Sequence, residues 1–155
     1  MNPRARDADT PVTLRPATLQ DVPLLARMNR QLIEDEGSRN PMDEAALAER
    51  MRGWLAGEYT AVLFMRGEAI VGYALYQMRP DEYFPQQRYV YLRQLYVARE
   101  ARRQGVGSAA FRLLREQCFP HSTPVMLDVL EHNATGRAFW EALGFRPYVT
   151  TMLLP

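Results

Sequence analysis

The chain has 155 residues, 47% hydrophobic and 24% charged, with a formal net charge of +1. All 19 basic residues are arginines. With no lysine, a Schiff-base enzyme, a GxxxxGK(S/T) phosphate loop and a protein kinase are all excluded.

Residues 1–11 are polar, lack the apolar stretch of a signal peptide, and read as a loose, flexible tail. Residues 12–15 alternate as a short strand. Thr18 stands as an N-cap with Asp21 three residues on, and Leu24, Leu25, Met28, Leu32 and Ile33 follow at helical spacing up to Gly37. Residues 43–56 form a second helix through Leu47, Met51, Trp54 and Leu55, with Gly57 as its stop. Residues 59–66 and 69–78 are apolar runs joined by Gly67 and Glu68, a hairpin signature. Residues 79–88 contain Pro80 and Pro85 and read as loop; residues 89–97 are a third long strand. Past a polar stretch, residues 105–119 are helical, with Val106, Ala110, Leu113 and Leu114 on one side. Residues 125–130 read as a buried strand, 135–143 as a short helix and 145–154 as a last strand. The order β-α-α-β-β-β-α-β-α-β predicts one domain over residues 12–155, of α/β (mixed α+β) class. No run reaches the ~18 apolar residues of a membrane span. The single cysteine, Cys118, lies among Leu113, Leu114 and Phe119 and reads as a core residue, consistent with a reducing cytoplasm.

The small net charge hides an asymmetry. Residues 88–115 hold seven arginines and one acid, a local +6, whereas residues 31–49 hold six acids and one arginine, a local −5. The first suits a polyanion and the second a cation.

The strand ending Leu95-Tyr96-Val97 runs through a polar loop into Arg102-Arg103-Gln104-Gly105-Val106-Gly107-Ser108. A helix start carries unpaired N–H groups and partial positive charge, glycines allow close approach, and arginines add charge-assisted donors. This predicts a pyrophosphate seat. The stretch from Gly105 to Ala110 also satisfies G-x-G-x-x-A, but seven residues separate it from the strand, where a dinucleotide fingerprint places the first glycine in the strand-to-helix turn itself. An RNA-stacking surface built on Tyr89, Tyr91, Arg93 and Tyr96 is disfavoured, because alternate strand residues face opposite sides. No nucleic-acid or membrane partner is expected, and no metal site.

Arg102-x-x-Gly105-x-Gly107 after Leu95-Tyr96-Val97 resembles the acetyl-coenzyme-A motif of the GNAT superfamily of N-acetyltransferases. Asn133, Gly136 and the run Phe139-Trp140-Glu141-Ala142-Leu143-Gly144-Phe145 are similar to the family's N-x-x-A-x-x-x-Y-x-x-x-G-F pattern. The resemblance covers about residues 12–154. It implies a three-layer fold with a mixed sheet of about six to seven strands and about four flanking helices. It also implies acetyl transfer from acetyl-CoA to a primary amine of a small molecule or peptide, by direct attack in a ternary complex. A pantetheine arm would pair with the backbone of Leu95 and Val97, and an N–H near Leu95 or Tyr96 would polarise the thioester. The amides from Gln104 through Gly105, Val106 and Gly107 to Ser108, with Arg102 and Arg103, would hold the pyrophosphate. Asn133, Phe139 and Trp140 would line the far wall.

Trp140 stands where the family often has a tyrosine acid, and indole does not titrate usefully. Tyr91, Tyr96 and Tyr148 are the substitutes considered, with Tyr91 and Tyr148 chosen. The strand matching residues 89–97 has no carboxylate, so the base is sought among Glu34, Asp35, Glu36, Asp128 and Glu131, with Glu34 preferred and His132 as a possible shuttle. Relatives that acetylate polyamines tend to carry a paired acid where Arg93-Gln94 stands, so the resemblance disfavours polyamine acceptors. Glu34, Asp35 and Glu36 would form a cation-receiving lip, and Arg93 and Tyr83 would contribute to the acceptor side. A non-catalytic CoA-binding sensor of the same fold is the alternative. Homodimers are common in the family, and no residue here decides the point.

Overall fold

The bounds of the elements follow from local hydrogen bonding. The backbone N–H of Thr18 donates to the Asp21 carboxylate at 2.8 Å, and Arg15 pairs with that carboxylate at 3.1 Å. A 3-10 turn at Leu19–Asp21 then leads into helix α1 (Val22–Glu36), with Pro23 in its first turn. Gly37 ends α1 in the left-handed conformation, φ 66°. Asp43 caps helix α2 (Glu44–Ala56) by accepting from the Ala46 N–H at 2.8 Å. Strands β1 (Val12–Pro16), β2 (Thr60–Arg66), β3 (Ala69–Pro80) and β4 (Arg88–Val97) precede helix α3 (Val106–Gln117), strand β5 (Val125–Met126) and helix α4 (Ala134–Ala142). This computed structural model describes residues 9–155, so most of the tail expected at residues 1–11 lies outside the described residues.

One mixed sheet runs β1-β2-β3-β4-β5, antiparallel except for the parallel β4–β5 pair. Ala61, Val62, Leu63 and Phe64 are buried in succession, which requires cover on both faces of β2. On β3, Tyr76 packs edge-on against Phe119 beyond α3, while its neighbour Gln77 bonds Tyr59 beyond α2. Successive residues thus mark the two faces. Leu47 and Met51 of α2 and Leu25 of α1 are fully buried, each contributing roughly 1.5–3 kcal/mol.

Two expectations are corrected. Among the described residues the sheet has five strands, not six to seven. The strand expected at residues 125–130 pairs at two positions only, Val90 with Val125 and Tyr91 with Met126, and residues 145–154 form no strand. A two-residue strand offers almost no ladder to extend. The apolar side chains of the last segment, Tyr148, Val149, Met152, Leu153 and Leu154, are accordingly 77–95% exposed. Among the described residues no helix is long and apolar enough to cross a membrane.

Two local features set the course of β4. A Cβ on Gly72 would lie 2.1 Å from the Tyr96 carbonyl oxygen, so only glycine lets β3 approach β4 here. The register steps from Leu75–Gln94 to Tyr76–Leu92, which leaves Arg93 as the extra residue of a bulge.

Candidate active site

Beyond Tyr91 the far edge of β4 has no strand partner among the described residues. The Ala98 N–H donates to Val71 on β3 at 2.8 Å. By strand alternation, the backbone groups of Leu95 and Val97 point to the open edge and those of Tyr96 toward β3. The Val97 carbonyl is already engaged, accepting from Arg102 Nε at 2.9 Å.

At the start of α3, Gly105 is left-handed, φ 73°, and makes no side-chain cap. The first helical bond there runs from the Ala109 N–H to the Gly105 carbonyl, so the amides of Val106, Gly107 and Ser108 have no intrahelical acceptor. Arg103 also lies at positive φ, 60°. Arg66 fixes this turn through the Gln104 amide oxygen, while the Gln104 NH2 donates to the Glu100 carbonyl at 3.2 Å. The Phe139 ring edge stands 3.1 Å from where a Gly107 Cβ would be. Trp140 turns away into a cluster with Phe111 and Phe145, centroids 5.8 and 5.2 Å apart. Asn133 caps α4 by accepting from the Gly136 N–H at 3.0 Å, and a Cβ at Gly136 would overlap that side chain.

The two charge blocks meet each other. Asp35 pairs with Arg99 at 2.8 Å and with Arg102, and Glu34 pairs with Arg99 at 3.3 Å and Arg30 at 3.4 Å. Glu34 and Asp35 therefore do not form a free cation-receiving lip. Burial pushes the Asp35 carboxyl up, but the Arg99 and Arg102 guanidiniums outweigh it and hold it below its ordinary value. A lowered native pKa stabilises the fold above the unfolded value near pH 3.8 and loses that contribution as pH falls through the native value. Asp35→Asn is expected to flatten the fall in stability below about pH 4, read by urea titration across acid pH.

Glu36 behaves differently. It is half-buried, and among the described residues it makes no ion pair. Burial and then the Asp35 charge push its carboxyl up. Tyr73, fully buried, feels both Glu36 and Arg50, and its hydroxyl donates to Gln94 at 2.7 Å. Gln94 in turn donates to Asn29 on α1 at 3.1 Å. Beside this polar floor lie Arg50 and Trp54 of α2, Tyr59, Arg79 and Arg93.

The sequence-nominated tyrosines separate. Tyr91 donates to Asp128 at 2.7 Å, and burial with that bond pushes its phenol up to about 12. Tyr96 is buried and bonds Gln31. Tyr83 is 76% and Tyr148 79% exposed, the first on the β3–β4 turn. His132 Nε2–H donates to the Glu36 and Gly37 carbonyls at 3.2 Å each, joining the loop after α1 to the loop before α4. Sequence reasoning missed Arg50, Trp54, Tyr59, Arg79 and Asn29. The one cue was Arg50 four residues from Trp54 on one helix face. A separate concavity of about 520 Å³, lined by Arg112, Arg115 and His121 among others, shares no residue with this site.

A profile described as the acetyltransferase (GNAT) family matches residues 26–145. No protein of curated function matches the sequence significantly. Among solved structures, a mutant of the Bacillus halodurans protein BH1408 is similar at 27% identity and TM-score 0.78, covering 92% of this chain and 98% of that one. A predicted acetyltransferase with acetyl-CoA from Clostridium acetobutylicum is similar at 19% identity and TM-score 0.72, with 93% and 96% covered. A ribosomal-protein-alanine N-acetyltransferase from Brucella melitensis is similar at 16% identity and TM-score 0.73, with 94% and 99% covered.

Proposed function

Because the chain belongs to the acetyltransferase (GNAT) family, we propose that it transfers an acetyl group from acetyl-CoA directly to a primary amine of a small molecule or peptide. The observation that carries this reading is the pairing of an open β4 edge with an uncapped α3 N-terminus. The residues present fit the co-substrate. Unpaired amides at Val106, Gly107 and Ser108 suit a pyrophosphate, with Arg103 beside them and Arg102 available once it leaves Asp35. The outward backbone of Leu95 and Val97 suits an amide-bearing pantetheine arm. Asn133 supports this wall through its cap, and Phe139 packs on the Gly107 turn. Trp140 backs Phe139 from the core.

Acetyl-CoA supplies the thioester whose acyl carbon the amine attacks. The Leu95 N–H, aimed at the open edge, stabilises charge on the acyl oxygen. The attacking amine must be neutral. Glu36, half-buried and without an ion pair, is the base we assign in place of Glu34, acting directly or through one water. The departing thiolate takes its proton from solvent. Tyr91 donates its hydroxyl hydrogen bond to the Asp128 carboxylate and Tyr148 stands in solvent, so neither is assigned that role.

Calorimetry with acetyl-CoA, followed by a thiol-release assay over amines, amino acids, aminoglycosides and peptides, tests the reading. Absence of acetyl-CoA binding would overturn it, and binding without thiol release on any amine would favour the sensor. Glu36→Gln is expected to lower kcat/KM about 100-fold and to abolish the acid limb of the pH profile. Tyr91→Phe is expected to change kcat by less than about threefold, with an unshifted profile up to about pH 10. A large loss in Tyr91→Phe would return the acid role to that residue.

A further inference from the structure

We propose that the acceptor amine carries a carboxylate close to its reacting nitrogen, and that Arg50 and Arg93 form the carboxylate's seat beside the β4 bulge. This rests on the acetyl-transfer reading and names its acceptor class.

Two like charges share one ring. The Arg50 guanidinium lies 4.4 Å and the Arg93 guanidinium 4.7 Å from the Trp54 centroid. Arg79 lies 3.6 Å from the Tyr91 centroid, and both Arg79 and Arg93 donate to the Tyr59 hydroxyl, at 3.2 and 3.3 Å. Ring faces and one phenol oxygen offset part of the repulsion but bring no formal negative charge. Among the described residues none of these three arginines makes an ion pair, whereas Arg15, Arg30, Arg52, Arg99, Arg102 and Arg137 all do. Burial and the Arg93 charge both act against the Arg50 cation. Its Nε is buried and has no acceptor among the described residues. An unmet guanidinium donor is costly, and a planar anion meets it with the fork geometry that carboxylates supply.

The placement fits acceptor binding. Arg93 is the bulge residue, two positions before Leu95 on the open-edged strand. Gln94, next to Arg93 on β4, joins Tyr73 to Asn29 of α1, and Arg50 shares the Trp54 ring with Arg93, so the two cations lie beside the polar floor between α1 and the sheet. An amine held by Glu36 and a carboxylate held by Arg50 and Arg93 describe an amino acid or a short amino-carboxylate. Polycationic amines would meet three unneutralised guanidiniums, the kind of like-charge contact that rejects a partner.

The test uses the full chain with saturating acetyl-CoA, the proteinogenic amino acids and their matching carboxamides, and thiol release. Free acids are expected to exceed their amides at least about tenfold in kcat/KM. Arg50→Gln and Arg93→Gln are expected to raise KM for the acids about 10- to 100-fold and to erase the preference, with acetyl-CoA affinity and Tm retained. A parallel arm titrates N-acetyl amino acids and their amides against tryptophan fluorescence without acetyl-CoA, at up to about 10 mM. There Trp54 should report the acids only, and Trp54→Phe should remove the signal. Amides or aminoglycosides matching the acids would overturn the proposal, as would ethanolamine phosphate replacing them. A loss of acetyl-CoA affinity in Arg50→Gln would also overturn it, by assigning that cation to the co-substrate. If acetyl-CoA failed to bind at all, the transferase reading would fall, and the fluorescence arm would still decide the carboxylate seat.

Discussion

Gly107→Glu is expected to weaken acetyl-CoA binding about 1,000-fold, equivalent to about 4 kcal/mol. The substitution sets a carboxylate among the unpaired amides that start α3, where a pyrophosphate is proposed to sit. Like charges at a desolvated contact cost several kcal/mol. Space contributes separately, because any Cβ at this position meets the Phe139 ring edge at 3.1 Å and a Val97 methyl at 3.6 Å. The glutamate variant is therefore expected to lose some thermal stability as well as affinity. Gly107→Ala isolates the steric part, since a ring edge can yield by a few tenths of an ångström. It should match the glutamate variant in Tm while losing less than about tenfold in affinity. Calorimetry on both variants reads the difference. Equal affinity losses would show that crowding, not charge at a phosphate seat, is responsible.

Gly72→Ala is expected to destabilise the fold by about 3–5 kcal/mol, through overpacking plus a disturbed ladder bond. The added Cβ would stand 2.1 Å from the Tyr96 carbonyl oxygen and 2.9 Å from the Phe64 ring. The first of these neighbours is backbone and cannot rotate aside, so β3 and β4 must part. For a chain of this length each kcal/mol shifts Tm by roughly 2–4 °C, which makes the change readily visible by calorimetric melting. The parting would fall beside Leu95 and Val97, so any residual folded protein should also bind acetyl-CoA more weakly. A melting point within about 3 °C of the parent would mean that the two strands are not held at this separation.

The helices and the three long strands were legible because each carries its own periodicity and its own stop. Asp43, Gly37 and the Gly67 turn mark ends that no distant contact has to define. The last strand was not legible as absent. Residues 145–154 have the apolar content of a strand, but strand formation needs a ladder, and β5 offers two residues of it. At the site, Gly105 and Gly107 were visible as an uncapped helix start because that property is local. The fate of Glu34 and Asp35 was not, since their partners Arg99 and Arg102 lie more than 60 positions along the chain. Arg50 was hidden for the same reason, its relation to Arg93 depending on how α2 lies over the sheet.

The Arg102 side chain, held between the Asp35 carboxylate and the Val97 carbonyl, makes phosphate capture an exchange rather than an addition. Recruiting that guanidinium leaves the Asp35 carboxylate with Arg99 alone, so part of the attraction gained at the phosphate is given up at Asp35. The local +6 of residues 88–115 thus overstates the net neutralisation available to a polyanion. Affinity for a phosphorylated ligand should fall less steeply with added salt than that count suggests, and Asp35→Asn should steepen the dependence.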